Sequence, residues 1–162
     1  MRHIDKVSLP ETLTEMVSYR IRLLQIAAYK SFERVVTGFG TAPRYYGMLK
    51  IVEANPGIPQ IRLAEAIFLD RSSLVPILSA LTREGWIERK PARGDRRVRR
   101  VFLTLQGSAL LEQLDTMVAK HETMMTQGLD DADRTRLLEL LTRIDANLRT
   151  ELSQTDNAGA AP

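Results

Sequence analysis

Basic side chains cluster in one short segment of this sequence, where seven of them accompany a single acid. The segment therefore carries +6, whereas the whole chain carries +3, so the remaining residues sum to −3. Guanidinium groups bind phosphate oxygens through paired hydrogen bonds, and a local excess of them is typical of proteins that bind a polyanion. A solvated basic loop is the alternative on charge alone. The cluster consists of Arg89, Lys90, Arg93, Arg96, Arg97, Arg99 and Arg100, with Asp95 as the acid.

Groups that could catalyse a reaction are scarce. The sequence has no cysteine, which excludes disulfides, cysteine-ligated zinc and thiol catalysis. The sequence has two histidines, His3 and His121. Neither has another histidine or a carboxylate cluster near it at the spacing of metal ligands. We find no glycine-rich phosphate loop and no serine–histidine–aspartate set. We therefore expect a binding protein rather than an enzyme, with no metal and no cofactor.

The sequence predicts neither a membrane span nor a secretion signal. No apolar run approaches the roughly 20 residues that a span requires, and the first five residues lack an apolar signal segment. Hydrophobic residues make up 44% of the chain, which is ordinary for a globular core. We expect a cytoplasmic protein without a membrane partner.

Apolar periodicity predicts four helices before residue 86. The first is predicted over 10–37, the second begins at residue 41 or 42 and ends at 55, and the third runs over 59–68. Asp70 is suited to cap the N-terminus of the fourth helix, and Gly85 is suited to end it.

Beyond residue 85 the pattern changes to that of strands. Residues 86–90 and 99–103 are strand-like, and the turn signal over 91–95 joins them into a β-hairpin with an arginine-rich tip. Three short helices followed by a basic hairpin, in the order α-α-α-β-β, predict a winged helix-turn-helix. The expected fold class is mainly α with a small β-hairpin.

Two further helices complete the predicted fold. Thr104 is suited to cap the fifth, and the sixth begins at residue 130 or 131. The apolar stripes on the first, fifth and sixth helices have no other obvious core to cover, which favours a dimer. The small, polar tail over 153–162 is predicted to be disordered. The sixth helix carries its apolar residues at near-heptad spacing, at Leu137, Leu141, Ile144 and Leu148.

The fourth predicted helix is amphipathic, so one face packs inward and the other faces outward. Small polar groups and arginines on the outward face suit base edges and phosphates in a major groove. Pro76 falls inside this helix, and because it cannot donate to the carbonyl of Ser72, we expect a kink or a loosened turn there. The outward residues are Arg71, Ser72, Ser73, Val75, Ser79 and Arg83.

Several short motifs follow one another in a fixed order between residues 56 and 107. They are Pro56-Gly57-Ile58, Leu63-Ala64-Glu65, Leu69-Asp70-Arg71-Ser72-Ser73, Leu81-Thr82-Arg83-Glu84-Gly85-Trp86-Ile87, Gly94-Asp95-Arg96-Arg97 and Leu103-Thr104-Leu105-Gln106-Gly107. With these motifs at these spacings, the sequence resembles the MarR (multiple antibiotic resistance regulator) family over roughly residues 10–150.

This resemblance implies a homodimeric transcription factor, usually a repressor, that binds a palindromic operator in double-stranded DNA. It implies a winged helix-turn-helix over 41–104, flanked by an N-terminal dimerisation helix over 1–40 and C-terminal dimerisation helices over 105–152. By position, Arg97 is expected to enter the minor groove, and Asp95 to brace the wing by pairing with a nearby arginine. The other wing residues expected at the DNA are Arg93, Arg96 and Arg99.

The resemblance also implies a small-molecule effector that releases the DNA. Tyrosine and arginine together suit an aromatic carboxylate, and an aromatic acyl-coenzyme A thioester is a bulkier option. The alternative for Tyr45 and Met48 is a place in the core, and the alternatives for the whole protein are an effector-independent regulator or activator, or a winged helix that binds protein. The candidate effector residues are Tyr19, Arg20, Leu23, Leu24, Ala27, Arg44, Tyr45, Tyr46 and Met48.

Overall fold

The computed structural model describes residues 8–36, 38–92 and 94–158, without the side chains of Arg96, Ser153 and residues 155–158. The chain divides into two compact units, residues 1–121 and residues 122–162. The predicted regions 1–40, 41–104 and 105–152 were defined by their roles in dimerisation and DNA binding rather than by compactness. They therefore stay a prediction.

The N-terminal part forms two helices where the sequence predicted one. Helix α1 spans Glu11–Thr14 and helix α2 spans Val17–Val35. Met16 between them has extended backbone angles (φ −76°, ψ 117°), which interrupts the helical hydrogen bonds. Arg20 donates from Nε to the carbonyl oxygen of Thr14 at 3.0 Å, so the end of α1 is stabilised by a side chain of α2.

The DNA-reading part of the predicted fold begins with a 3-10 turn over Ala42–Tyr45, followed by α3 over Tyr46–Ala54. A short strand β1 over Ile58–Pro59 leads into α4 over Gln60–Ala66. The next helix, α5, spans Arg71–Arg83 and continues across its internal proline. Pro76 lies on its exposed face, while Leu74 and Leu78 on either side of it are buried in the core.

Three strands rather than two form the sheet. Strand β2 spans Ile87–Ala92 and β3 spans Asp95–Leu103, and the order β1-β3-β2 is antiparallel throughout. The predicted hairpin is therefore confirmed, but β3 begins four residues earlier than the predicted strand, and β1 was not predicted. Pairing of Ile58 with Val101 sets the start of α4 beside the middle of β3.

Helix α6 spans Leu105–Met125 and α7 spans Asp131–Ala158. Thr104 caps α6 as predicted, because its Oγ1 accepts from the amide of Gly107 at 2.9 Å. Helix α7 continues past residue 153 and ends at Ala158. The prediction of a disordered tail is therefore wrong for residues 153–158, which continue the hydrogen bonding of the long helix. Residues 159–162 lie outside the described residues.

The core of the first unit is built from the inward faces of the helices and the sheet. Among the described residues, none of the buried core side chains is polar. No helix in the described ranges is long and apolar enough to cross a bilayer. The largest fully buried side chains are Leu49, Val52, Leu63, Leu74, Leu78, Leu81, Ile87, Val101, Leu111 and Leu114.

Candidate nucleic-acid interface

The N-terminus of α5 is held by Asp70. Its carboxylate accepts hydrogen bonds from the hydroxyl of Ser72 at 2.6 Å and from the amide of Ser73 at 2.7 Å. A third bond, from the hydroxyl of Ser73, is 3.0 Å long. These bonds lower the pKa of Asp70 from 3.8 to about 2, and the bond from the Ser72 hydroxyl has the largest effect. The helix therefore begins at a fixed residue, which in turn fixes the direction of its exposed face.

The exposed face of α5 carries the residues predicted from the sequence. Arg71, Val75 and Arg83 are exposed. The serines behave differently from expectation, because the hydroxyls of Ser72 and Ser73 donate to Asp70, and that of Ser79 donates to the carbonyl oxygen of Val75 at 2.9 Å. Their donor protons are used within the helix, so the two arginines are the stronger outward donors.

The sheet presents arginines on the same face that covers the core. Alternate residues of a strand point to one face, and Val101 of β3 is fully buried on the core side. Two residues earlier on that face stands Arg99, and Arg97 lies in the irregular stretch of β3 just before it; both are exposed. Arg89 of β2 pairs with Val101 across the ladder and shares the face.

These arginines and α5 line two adjoining concavities, which we call the arginine groove. Arg99 and Gln60 line both of them. The first has a volume of about 190 Å³ and the second about 410 Å³. The first is lined by Pro59, Gln60, Ile61, Arg71, Arg97, Val98 and Arg99, and the second by Gln60, Val75, Thr82, Arg89 and Arg99.

Six of the groove residues were not predicted from the sequence as members of the site, namely Pro59, Gln60, Ile61, Thr82, Arg89 and Val98. Arg89 was noted only as part of the basic cluster, although its alternation with Ile87 along the predicted strand would have placed it on the inner face. Thr82 and Gln60 carried no such signal. Gln60 reaches the groove because β1 pairs with β3, a contact between residues far apart in the sequence.

The wing is braced by a backbone contact. Asp95 accepts from the amide of Arg97 at 2.8 Å, so the main chain of Arg97 contributes to the bracing of the wing. The expected pairing of Asp95 with an arginine side chain stays a prediction. Arg100 donates from Nη1 to the carbonyl oxygen of Gly57 at 2.8 Å, which ties β3 to the turn before β1. Arg93 lies outside the described residues, as does the side chain of Arg96.

The candidate effector residues are only partly brought together. The guanidinium carbon of Arg44 lies 6.0 Å from the ring centroid of Tyr45 and 5.9 Å from that of Tyr29, a residue of α2 that sequence reasoning missed. Met48 is 4% exposed and belongs to the core, in line with the alternative interpretation. Of the α2 candidates, Tyr19 is half-buried, whereas the others are exposed, namely Arg20, Leu23, Leu24 and Ala27.

Tyr46 is engaged with α6. Its hydroxyl donates to Oδ1 of Asp115 at 2.7 Å, and Lys50 donates to Oδ2 of the same carboxylate at 3.0 Å. The two bonds lower the pKa of Asp115, while burial and the bond to Asp115 raise the pKa of Tyr46. The phenol of Tyr46 therefore joins α3 to α6 within the first unit.

Comparison with known proteins decides the family. The model of the MarR family matches residues 44–98. A Thauera aromatica protein, described as a transcriptional regulatory protein for the hcr operon, is 35% identical over 129 residues, which is 79% of this chain and 78% of that protein. This chain belongs to the MarR family.

Solved structures of MarR-type regulators share its fold. The transcriptional repressor CouR bound to a 23-mer DNA duplex superposes with a TM-score of 0.78 at 29% identity, over 86% of this chain and 99% of that one. CouR bound to p-coumaroyl-CoA gives a TM-score of 0.76 at 26% identity, over 86% and 98% of the two chains. The MarR-family chain described here is thus a DNA-binding transcriptional regulator with a winged helix-turn-helix.

The MarR segment at residues 44–98 contains most of the arginine groove. It includes α5 and the wing up to Val98, and it ends one residue before Arg99. The region that defines the family is therefore the region in which the arginines converge.

Within the described residues, large apolar side chains of the flanking helices are exposed. On α2 they include Val17, Ile21 and Leu24, all exposed. On α7, Ile144 is half-buried and the other predicted dimerisation residues are exposed, namely Leu137, Leu141 and Leu148. In the second unit the long helix α7 thus presents a nearly continuous apolar stripe.

Proposed function

We propose that this regulator binds a palindromic operator as a homodimer, with one arginine groove on each half-site. The observation that carries the proposal is the convergence of Arg71, Arg89, Arg97 and Arg99 on one groove between α5 and the wing. A recognition helix flanked by cationic side chains suits a major groove and its adjacent phosphates. CouR, similar in fold over 86% of this chain, is described as bound to a DNA duplex, which supports the same use here.

Dimerisation is supported by the exposed apolar residues of α2 and α7. Such a set on a water-soluble chain favours burial against a second copy, because each buried apolar side chain contributes roughly 1.5–3 kcal/mol. A two-fold dimer would place its two recognition helices about one turn of DNA apart, and the operator is then expected to have two-fold symmetry.

We propose further that the regulator is a repressor, released by an aromatic acid or its coenzyme A thioester. The support is twofold. Arg44 lies within 6.0 Å of the rings of both Tyr29 and Tyr45, and arginine together with tyrosine suits an aromatic carbonyl compound. CouR, at 26% identity, is described as bound to p-coumaroyl-CoA.

The test is fluorescence anisotropy on a labelled duplex selected by the protein from a random-sequence pool. Binding is measured with and without p-coumaric acid, benzoic acid and their coenzyme A thioesters. The proposal predicts a selected duplex with two-fold symmetry and release by one of these compounds. Release by a thioester but not by the free acid would assign part of the recognition to the coenzyme A moiety.

Two variants locate the effector site. Arg44→Ala is expected to bind DNA but to require at least about tenfold more effector for release, because a charge-assisted contact is lost. Arg44→Lys keeps the charge and loses the planar group, so it separates charge from stacking. Binding that is indifferent to every compound would instead favour the effector-independent regulator or activator.

A further inference from the structure

One carboxylate at the end of α5 joins three separate segments of the chain. Glu84 directly follows the last residue of α5. Its Oε2 accepts from the backbone amide of Thr41 at 3.0 Å and from Nε1 of Trp86 at 2.9 Å. The hydroxyl of Thr41 adds a bond of 3.0 Å to either carboxylate oxygen. We call these three residues the Glu84 clamp.

The clamp is tightly packed against the loop before the 3-10 turn. Gly40 has φ +57°, and a Cβ at that position would lie 2.6 Å from Oε2 of Glu84. All three residues of the clamp are partly buried. The donors to Glu84 are an amide, a hydroxyl and an indole, and within the described part of the chain Glu84 forms no ion pair with a lysine or an arginine.

The three segments have different roles. Thr41 belongs to the connection that leads from α2 into α3, and the residue after it, Ala42, is fully buried. Glu84 ends the recognition helix, and Trp86 immediately precedes the wing strand β2. The bonds to Thr41 span 43 residues of sequence, so they are tertiary contacts rather than features of a local turn.

We propose that Glu84 is a positioning residue for DNA binding, which holds the recognition helix and the wing in register with the segment that follows α2. The proposal rests on DNA binding by the arginine groove. The groove needs α5 and β3 at a fixed separation, since Arg71 comes from one and Arg99 from the other. When the clamp is broken, α5 and the wing adopt several relative arrangements, of which one binds DNA. The apparent affinity for DNA then falls in proportion to the fraction of molecules in that arrangement.

A consequence is that the connection after α2 is linked to the end of the recognition helix and to the start of the wing through the side chain of Glu84. Trp86 is the single tryptophan of the chain, and its indole donates to the carboxylate at the centre of the clamp. Its fluorescence therefore reports on the clamp without added labels.

The experiment uses the full chain and three variants. Glu84→Gln removes the charge and offers only one acceptor oxygen. Thr41→Val removes the hydroxyl at nearly constant shape. Glu112→Gln, at an exposed position of α6, is the matched control with the same change in net charge. Affinity for the selected duplex is measured by anisotropy, and urea unfolding defines conditions under which every variant is fully folded.

Glu84→Gln and Thr41→Val are each expected to weaken DNA binding about tenfold, the change that the loss of one hydrogen bond to a charged group can produce. The double variant is expected to bind about as weakly as Glu84→Gln, because both changes remove the same contact. Addition of DNA is expected to change the Trp86 emission of Glu84→Gln more than that of the wild type and of Glu112→Gln, because only the variant leaves other arrangements when it binds.

Wild-type affinity in both clamp variants, with lower stability as their sole defect, would overturn the proposal and leave Glu84 a structural residue. If Glu84→Gln does not fold, Thr41→Val decides alone, since it deletes a single hydroxyl. Failure of the wild type to select any duplex would instead contradict the proposed function.

Discussion

Replacement of Arg99 by alanine is expected to weaken DNA binding in a salt-dependent way, whereas replacement of its neighbour Arg100 is not. The two residues are consecutive on β3, so their side chains lie on opposite faces of the sheet. Arg99 lines both concavities of the arginine groove, but Arg100 donates to the carbonyl oxygen of Gly57. Both substitutions remove one positive charge, so a difference between them reports where each side chain lies.

The size of the effect follows from counterion release. Each phosphate contact contributes about 0.9 to the slope of log affinity against log salt concentration. With one phosphate contact from Arg99 in each protomer of a dimer, Arg99→Ala loses about 1.8 of that slope. The ratio of wild-type to variant affinity then falls about 12-fold between about 50 and 200 mM salt.

Arg100→Ala has a different expected signature. It keeps the wild-type salt slope, because its guanidinium group lies on the other face of the sheet and donates to the carbonyl oxygen of Gly57. It loses one hydrogen bond between β3 and the turn before β1, which lowers the free energy of unfolding by about 1 kcal/mol.

Anisotropy titrations at four salt concentrations, with urea unfolding of both variants, make the comparison. The reasoning is refuted if Arg100→Ala loses as much slope as Arg99→Ala, or if Arg99→Ala keeps the wild-type slope. A loss of affinity in Arg99→Ala that does not depend on salt would also contradict a phosphate contact.

Three further predictions concern stability, assembly and pH. Gly107→Ala is expected to lower the free energy of unfolding by about 1–3 kcal/mol, because its Cβ would lie 2.0 Å from the backbone oxygen of Trp86. The control in the urea unfolding measurement is Gly47→Ala, whose Cβ would meet open space. Leu141→Asp is expected to give a folded monomer in sedimentation velocity with little affinity for a two-half-site duplex, and a monomer that binds this duplex as tightly as the wild type would contradict the dimer. The carboxylate of Asp70, with its pKa lowered from 3.8 to about 2, stabilises the fold fully above about pH 4, and this contribution is lost as the pH falls towards 2. Urea unfolding between these pH values should therefore show a shallower pH dependence for Asp70→Asn, and equal slopes would argue against the cap.

The sequence predicted those parts of the fold that depend on neighbours in the chain. Asp70 and Thr104 were identified as caps because a capping side chain bonds to an amide two or three residues away. The hairpin followed from alternation and a turn signal. The order of these elements was sufficient to predict the winged helix-turn-helix.

Contacts between distant segments were not predictable from local pattern. Strand β1 is two residues long and exists because it pairs with β3, which is more than 40 residues away in the sequence. The bonds from Thr41 to Glu84 and from Tyr46 to Asp115 have the same character, since each joins residues 43 or more positions apart. Of the candidate site, the arginines of α5 and β3 were therefore identified, but Arg89, Gln60 and Tyr29 were not.

The exposed surface in the middle of α5 is apolar and offers few hydrogen-bond donors. Val75 is 39% exposed, Pro76 beside it is exposed and lacks an amide proton, and the nearest serine hydroxyls donate within the helix. In the major groove, the apolar group that a base pair offers is the C5 methyl of thymine. The preferred duplexes are thus expected to place thymines opposite the middle of α5. Replacing those thymines by uracil, which lacks that methyl group, should weaken binding, whereas the same replacement outside the contacted bases should not.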